Sequence, residues 1–107
     1  MNAGKTPMEI MKSVSPEGER TYMEHRAAIM DNPRLQALDK KIKLLIGIGV
    51  AASLQSTTCT LMWTKLARQA GASKEEIAEA ILVSRLMKAA TVNDTAADAL
   101  EWLDRNP

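Results

Sequence analysis

Phenylalanine is absent from this chain, and aromatic residues make up only 3% of it. Sheets draw on aromatic and β-branched side chains, so a core of Leu, Ile, Ala and the seven Met points to closely packed helices instead. A second cysteine is also missing. With Cys59 alone there is no intrachain disulfide and no sign of an oxidising compartment. Charge of one sign is not in excess: 14 Lys and Arg stand against 13 Asp and Glu. That excludes a nucleic-acid footprint and a strongly acidic partner as leading expectations. Long apolar runs are lacking too. Leu44 to Leu54 is far shorter than the ~20 residues a membrane span needs. The opening MNAGKTPMEIMKSV has no apolar stretch of the secretory kind. A cytoplasmic protein without membrane or nucleic-acid partners is therefore expected. The single histidine, His25, and the single cysteine lie far apart in sequence and make a poor metal site, so no metal or cofactor is expected.

The chain has 107 residues, enough for one domain that buries roughly 65% of its unfolded surface. Residues 1–14 read as a flexible arm with one helical turn at Met8 to Lys12. From there the pattern is helical throughout. Ser15 offers a cap, Pro16 fits the first helical position, and Glu17 and Glu19 suit a helix's positive end. Asn32-Pro33 stops this helix, because a residue before proline avoids the helical region. Asp39 caps the next helix, which is apolar nearly all round from Leu44 to Leu54 and is expected to be central and buried. Its first turn holds Lys40, Lys41 and Lys43. They oppose the helix dipole, and read either as a solvated end or as an anion-attracting patch.

Gln55, Ser56, Thr57 and Thr58 break that pattern. Cys59, Met62, Leu66 and Ala70 then form one stripe of a further helix, with Gly71 as its stop. Ser73 and Glu76 spell a capping box, so the following helix starts at Lys74 and is expected to run to about Ala90. Val92, Ala96, Leu100 and Leu103 define a last amphipathic helix, with Thr91 or Asn93 as its expected cap. No window alternates with period two. The fold class is all-α, one domain over residues 15–107 with about five helices. Two nearly all-apolar helices in so short a chain predict a homo-oligomer.

The stretch from LDKK through the cysteine helix to AGASKEEIAEAI covers about half the chain. It resembles the carboxymuconolactone decarboxylase / alkylhydroperoxidase D-like family. The resemblance implies a helical protomer assembled into trimers or hexamers. In thiol-active members it implies a Cys-x-x-Cys-x-x-x-His pattern, with a glutamate about three helical turns before the first cysteine. The second cysteine attacks, the first resolves it as a disulfide, and Glu and His relay the proton. By that resemblance the attacking position is Cys59, the resolving position falls on Ser56, the histidine on Trp63 and the glutamate on Leu44. Serine forms no disulfide, an indole N–H only donates, and leucine does not titrate.

Cys59 thus reads in two ways. The start of a helix favours the thiolate that reacts with peroxides and disulfides. A free cysteine sharing a stripe with Met62 and Leu66 is also an ordinary buried core residue. Ser56 reads as a cap or a nucleophile, Trp63 as packing or ligand stacking, His25 as a structural histidine or a catalytic acid. Three functions follow. The resemblance implies a peroxiredoxin-like thiol peroxidase or disulfide reductase, weak because the relay is incomplete, with Cys59 as nucleophile. Alternatively, Leu44, Met62 and Trp63 line a pocket for an apolar small molecule or protein partner in a non-enzymatic oligomer. A third reading is a small-lactone decarboxylase or isomerase using His25 and the lysine patch.

Overall fold

The computed structural model describes residues 4–107. Six helices and no strands are found among them: α1 (Pro7–Val14), α2 (Pro16–Met30), α3 (Lys40–Ser53), α4 (Thr57–Gln69), α5 (Lys74–Thr95) and α6 (Ala97–Arg105). The five helices expected from Ser15 onward are all present. The sixth is α1, a full amphipathic helix where a single turn was expected; Thr6 caps it by accepting the Glu9 N–H. The chain divides into two compact units, residues 1–43 and 44–107.

In the first unit, Ser15 ends α1 and begins α2, its hydroxyl accepting the Gly18 N–H at 3.0 Å. Along α2, Arg20 reaches both Glu17 and Glu24, and those two carboxylates hold its guanidinium pKa above the ordinary value. The helix stops at Met30, with Asp31 as its cap, as the Asn32-Pro33 signal requires. Asp39 accepts the Ile42 N–H at 2.9 Å, capping α3 as expected.

In the second unit the buried side chains are Leu44 and Ile48 of α3, Ala67 of α4, Ala72 of the following turn and Ile77 of α5. The expectation that α3 is central and buried holds within the chain for one face only. Leu44 and Ile48 are sealed, whereas Ile46, Val50 and Leu54 are 50%, 51% and 74% exposed. One face finds cover within the chain and the other does not. Two glycines on α3 let its neighbours come close. The indole of Trp63 lies against Gly47, so that a Cβ there would sit 2.5 Å from Cζ3 and closer still to Cε3. At Gly49 the backbone carbonyl accepts the Ser84 hydroxyl of α5 at 2.7 Å.

Both ends flanking α4 are closed by the same backbone device. Ser56 and Gln55 donate to Ala51 and Ala52 at 2.9 and 3.1 Å, and Ala72 and Gly71 donate to Ala67 and Arg68 at 2.9 and 3.1 Å. The turn needs a left-handed residue at its centre. Gly71 supplies it at φ 94°, but the first turn places Gln55 there at φ 64°. The capping box at Ser73 and Glu76 is formed in both directions. Beyond it the expected boundaries need correction. Helix α5 continues past Ala90 to Thr95, and α6 begins after Ala96 with no side-chain cap. Thr91 and Asn93 are therefore helix interior. No glycine or proline interrupts the chain there, and the Thr91 hydroxyl is turned back to the Lys88 carbonyl at 2.6 Å.

Two stability predictions follow from this packing. Gly47→Ala gains up to ~1 kcal/mol in helix propensity but forces the indole away, at a cost of ~1–3 kcal/mol. Urea denaturation is expected to show a net loss that shrinks when the same change is made in a Trp63→Leu background; a stabilised single variant contradicts the contact. Gln55→Gly relieves a left-handed side-chain clash and should stabilise by about 1 kcal/mol; an unchanged midpoint contradicts the turn.

Candidate functional site

The break between α3 and α4 creates the site. Once the left-handed turn at Gln55 ends α3, Ser56 takes extended angles and its hydroxyl accepts the Cys59 N–H at 3.2 Å. The carbonyl of Ser56 in turn accepts the Thr60 hydroxyl at 2.7 Å. Ser56 is thus the N-cap of α4, with its oxygen committed to the first turn. Cys59 lies in that first turn as a free, exposed thiol. The reading of Cys59 as a buried core residue is not what the chain does: its stripe partners Met62 and Leu66 are half-buried, but the sulfur's residue faces outward.

The other positions separate by role. Leu44 is 1% exposed and is a core residue of α3. Trp63, one turn beyond Cys59, is half-buried and seats against Gly47, on the α3 face that also carries Leu44 and Ile48. Met62 is half-buried beside it in sequence. His25 is exposed on α2 in the first unit, whereas Cys59 belongs to the second. The lysines of the α3 start are occupied. Lys40 pairs with Asp31 at 3.0 Å, and the Lys43 ammonium donates to the Ile29 carbonyl at 2.8 Å and to that of Leu35. Both tie α3 to the end of α2 and the loop after it, which is a structural task and gives no support to an anion-holding patch. No group of three or more His, Cys, Asp or Glu among the described residues is placed to hold a metal ion.

An open hollow of about 500 Å³ lies beside the same break, lined by Ala52, Gln55, Ser56, Thr57, Thr60, Leu61 and Thr64. On α4, Thr57, Thr60, Leu61 and Thr64 share one face, and Cys59, Met62, Trp63 and Leu66 share the opposite one. Ser56 alone of the sequence candidates lines this hollow. The threonines were not singled out from the sequence, although their spacing of three and four residues was a visible signal. Gly47, the seat of Trp63, was also passed over. A glycine inside an apolar helix pattern signals close packing.

This helical arrangement can be set beside known proteins. The family described as "Carboxymuconolactone decarboxylase family" matches residues 16–104. The chain belongs to the carboxymuconolactone decarboxylase family. The match spans α2 to α6 almost entirely and leaves α1 outside. A 68-residue stretch is also 43% identical to a Paracoccus denitrificans protein described as "Uncharacterized protein 4 in cox locus". It covers 64% of this chain and 61% of that relative, so the likeness reaches less than two thirds of the relative's length. No solved structure matches the chain. No helix among the described residues of this family member is long and apolar enough to cross a membrane.

The exposure of Cys59 has a direct test. One equivalent of a chromogenic disulfide reagent should react with the native protein at one thiol per chain, without denaturant. Reaction only after unfolding contradicts the outward placement.

Proposed function

We propose that this chain is a single-cysteine, thiol-dependent peroxide reductase of the carboxymuconolactone decarboxylase family, with Cys59 as nucleophile. The observation that carries the reading is the exposed thiol in the first turn of α4, held there by the Ser56 cap. The Cys59 thiolate attacks one peroxide oxygen. An S–O bond forms, the O–O bond breaks, and the departing oxygen leaves as water or an alcohol after taking a proton. The sulfur is oxidised to a sulfenic acid and the peroxide is reduced. An external low-molecular-weight thiol then attacks the sulfenic sulfur, releasing water and leaving a mixed disulfide. A second such thiol attacks that disulfide, frees Cys59 and departs as the oxidised reductant.

The reaction is slow in this reading, because the neighbours move no protons. Leu44 is sealed in the core and Trp63 is packed on Gly47. Ser56 forms no disulfide, so turnover depends on a thiol from outside the subunit. The half-uncovered apolar face of α3 supports self-assembly, for which family resemblance implies a trimer or hexamer. A second, non-enzymatic reading places an apolar small molecule in the hollow between Ala52 and Thr64. The open, largely hydrocarbon lining there favours it, and a ligand that raises the melting temperature of wild type but not of Thr60→Trp supports it.

Steady-state peroxide consumption with excess dithiothreitol decides the main reading. Cys59→Ala is expected to fall to the rate without protein. Ser56→Cys supplies the missing resolving thiol and should make an internal disulfide detectable by non-reducing mass analysis. A Cys59→Ala variant that keeps the wild-type rate overturns the proposal.

A further inference from the structure

Helix α6 is held along its length and then left bare. Arg105 pairs with Glu101 at 2.6 Å, the Asn106 side chain donates to the Trp102 carbonyl at 2.8 Å, and the Asn106 N–H closes on the Leu103 carbonyl at 3.3 Å. Its nine residues are too few to persist as a helix alone in water. Ala99, Leu100, Trp102 and Leu103 share one face of it. Asp98, one turn before Trp102, and Asp104, one turn after Leu100, border that face. The helix leans on α5, yet Leu100, Trp102 and Leu103 remain 55%, 62% and 58% exposed. An apolar face of this kind needs cover that the chain does not supply.

The hollow beside the α3–α4 break belongs to the same unit, residues 44–107, and is also bare. Leu61 on its wall is 56% exposed, so α6 does not fill it within one chain. Two features of the hollow match α6. The first is its supply of acceptors. The Thr60 hydroxyl gives its proton to the Ser56 carbonyl and keeps its lone pairs, and the oxygens of Gln55, Thr57 and Thr64 stand beside it. An indole is a large apolar group whose N–H needs an acceptor once buried. The volume of about 500 Å³ has room for that ring and a neighbouring leucine.

The second feature is charge. Lys65 and Arg68 continue the hollow's face of α4, one turn beyond Leu61 and Thr64. Lys65 is exposed, and Arg68 donates to the Ala72 carbonyl at 3.2 Å. From Lys40 to Gln69 there is no Asp or Glu at all. Helix α6 carries Asp98, Glu101 and Asp104, opposed only by Arg105. An acidic helix and a groove edged by cations attract each other, whereas two copies of α6 repel.

We infer that α6 of one copy of this chain docks into the α3–α4 hollow of a second copy, with Trp102 as its anchor. This deepens the self-assembly part of the proposed function and does not depend on the thiol chemistry. It fills from another subunit the hollow that the small-molecule reading leaves open. Helix and hollow are different patches, so the contact is heterologous. Two copies exchange helices reciprocally, or the contact runs around a closed ring.

Light scattering on wild type, Leu61→Glu, Trp102→Glu and an equal mixture of the two variants tests it. Both positions are exposed in the single chain, and circular dichroism is expected to show wild-type helix content. Thr57→Glu and Leu103→Glu repeat the design at neighbouring exposed positions if either first variant loses helix. Wild type is expected to be an assembly of two or more copies. Each variant alone is expected to associate at least roughly 30-fold more weakly, as loss of an interface anchor does. Mixed, the two are expected to form one-to-one pairs, because the first still offers α6 and the second still offers an intact hollow. A wild-type monomer overturns both the docking and the self-assembly reading. Variants that keep the wild-type size, or that dissociate and do not combine on mixing, overturn the docking alone and leave self-assembly standing.

Discussion

The packing face of α3 is the constraint on which the second unit depends. Leu44 and Ile48 are the two largest side chains sealed from water, and they sit one turn apart on the same face. Between them Gly47 leaves room for the Trp63 ring, and two residues after it the Gly49 carbonyl accepts the Ser84 hydroxyl. One helix therefore positions both of its successors, α4 through an aromatic contact and α5 through a hydrogen bond. In a core without phenylalanine, a single indole laid on a glycine does much of the shape-filling that rings usually share.

The same contact explains why the thiol stands where it does. With Trp63 held against α3, the start of α4 is carried to the end of α3, where the left-handed Gln55 turn delivers Ser56 as the cap. The cap satisfies an amide that would otherwise lack a partner at a helix start. Its chemistry also sets a limit. By family resemblance position 56 is where a resolving thiol belongs, and position 44 where a proton-relaying carboxylate belongs. Here the first carries a hydroxyl committed to the Cys59 N–H, and the second a core leucine. Helix capping and core packing occupy the places that, by family resemblance, redox chemistry needs, which leaves an exposed thiol with structural neighbours.

Much of this was legible in the sequence, because the signals are local. Ser15-Pro16, Asp39, Ser56, Gly71 and the Ser73/Glu76 box each mark a helix boundary through one or two hydrogen bonds, and each does so in the structure. The family resemblance drawn from residues 38–81 extends in the family match to residues 16–104. What was not legible depends on which face meets what. The apolar run of α3 signalled surface the chain could not cover, but not that the open face would be the one with Ile46 and Val50. The end of α5 was misplaced because Thr91 and Asn93 are good caps in isolation, yet nothing forces the helix to stop there. The threonine hollow arises from a backbone reversal at Gln55, a residue type that rarely announces a left-handed turn. The lysines of the α3 start looked like an open patch because their partners, Asp31 and the Ile29 carbonyl, lie nine and fourteen residues away.

The central claim is that an outward-facing thiol with no internal partner carries whatever chemistry this protein performs. Its most direct test is mass spectrometry of the native protein after brief exposure to hydrogen peroxide with dimedone present as a sulfenic-acid trap. The account predicts a single dimedone adduct, located on Cys59, and no disulfide within the chain. Unmodified protein at peroxide levels that oxidise glutathione, or oxidation confined to methionines, contradicts it.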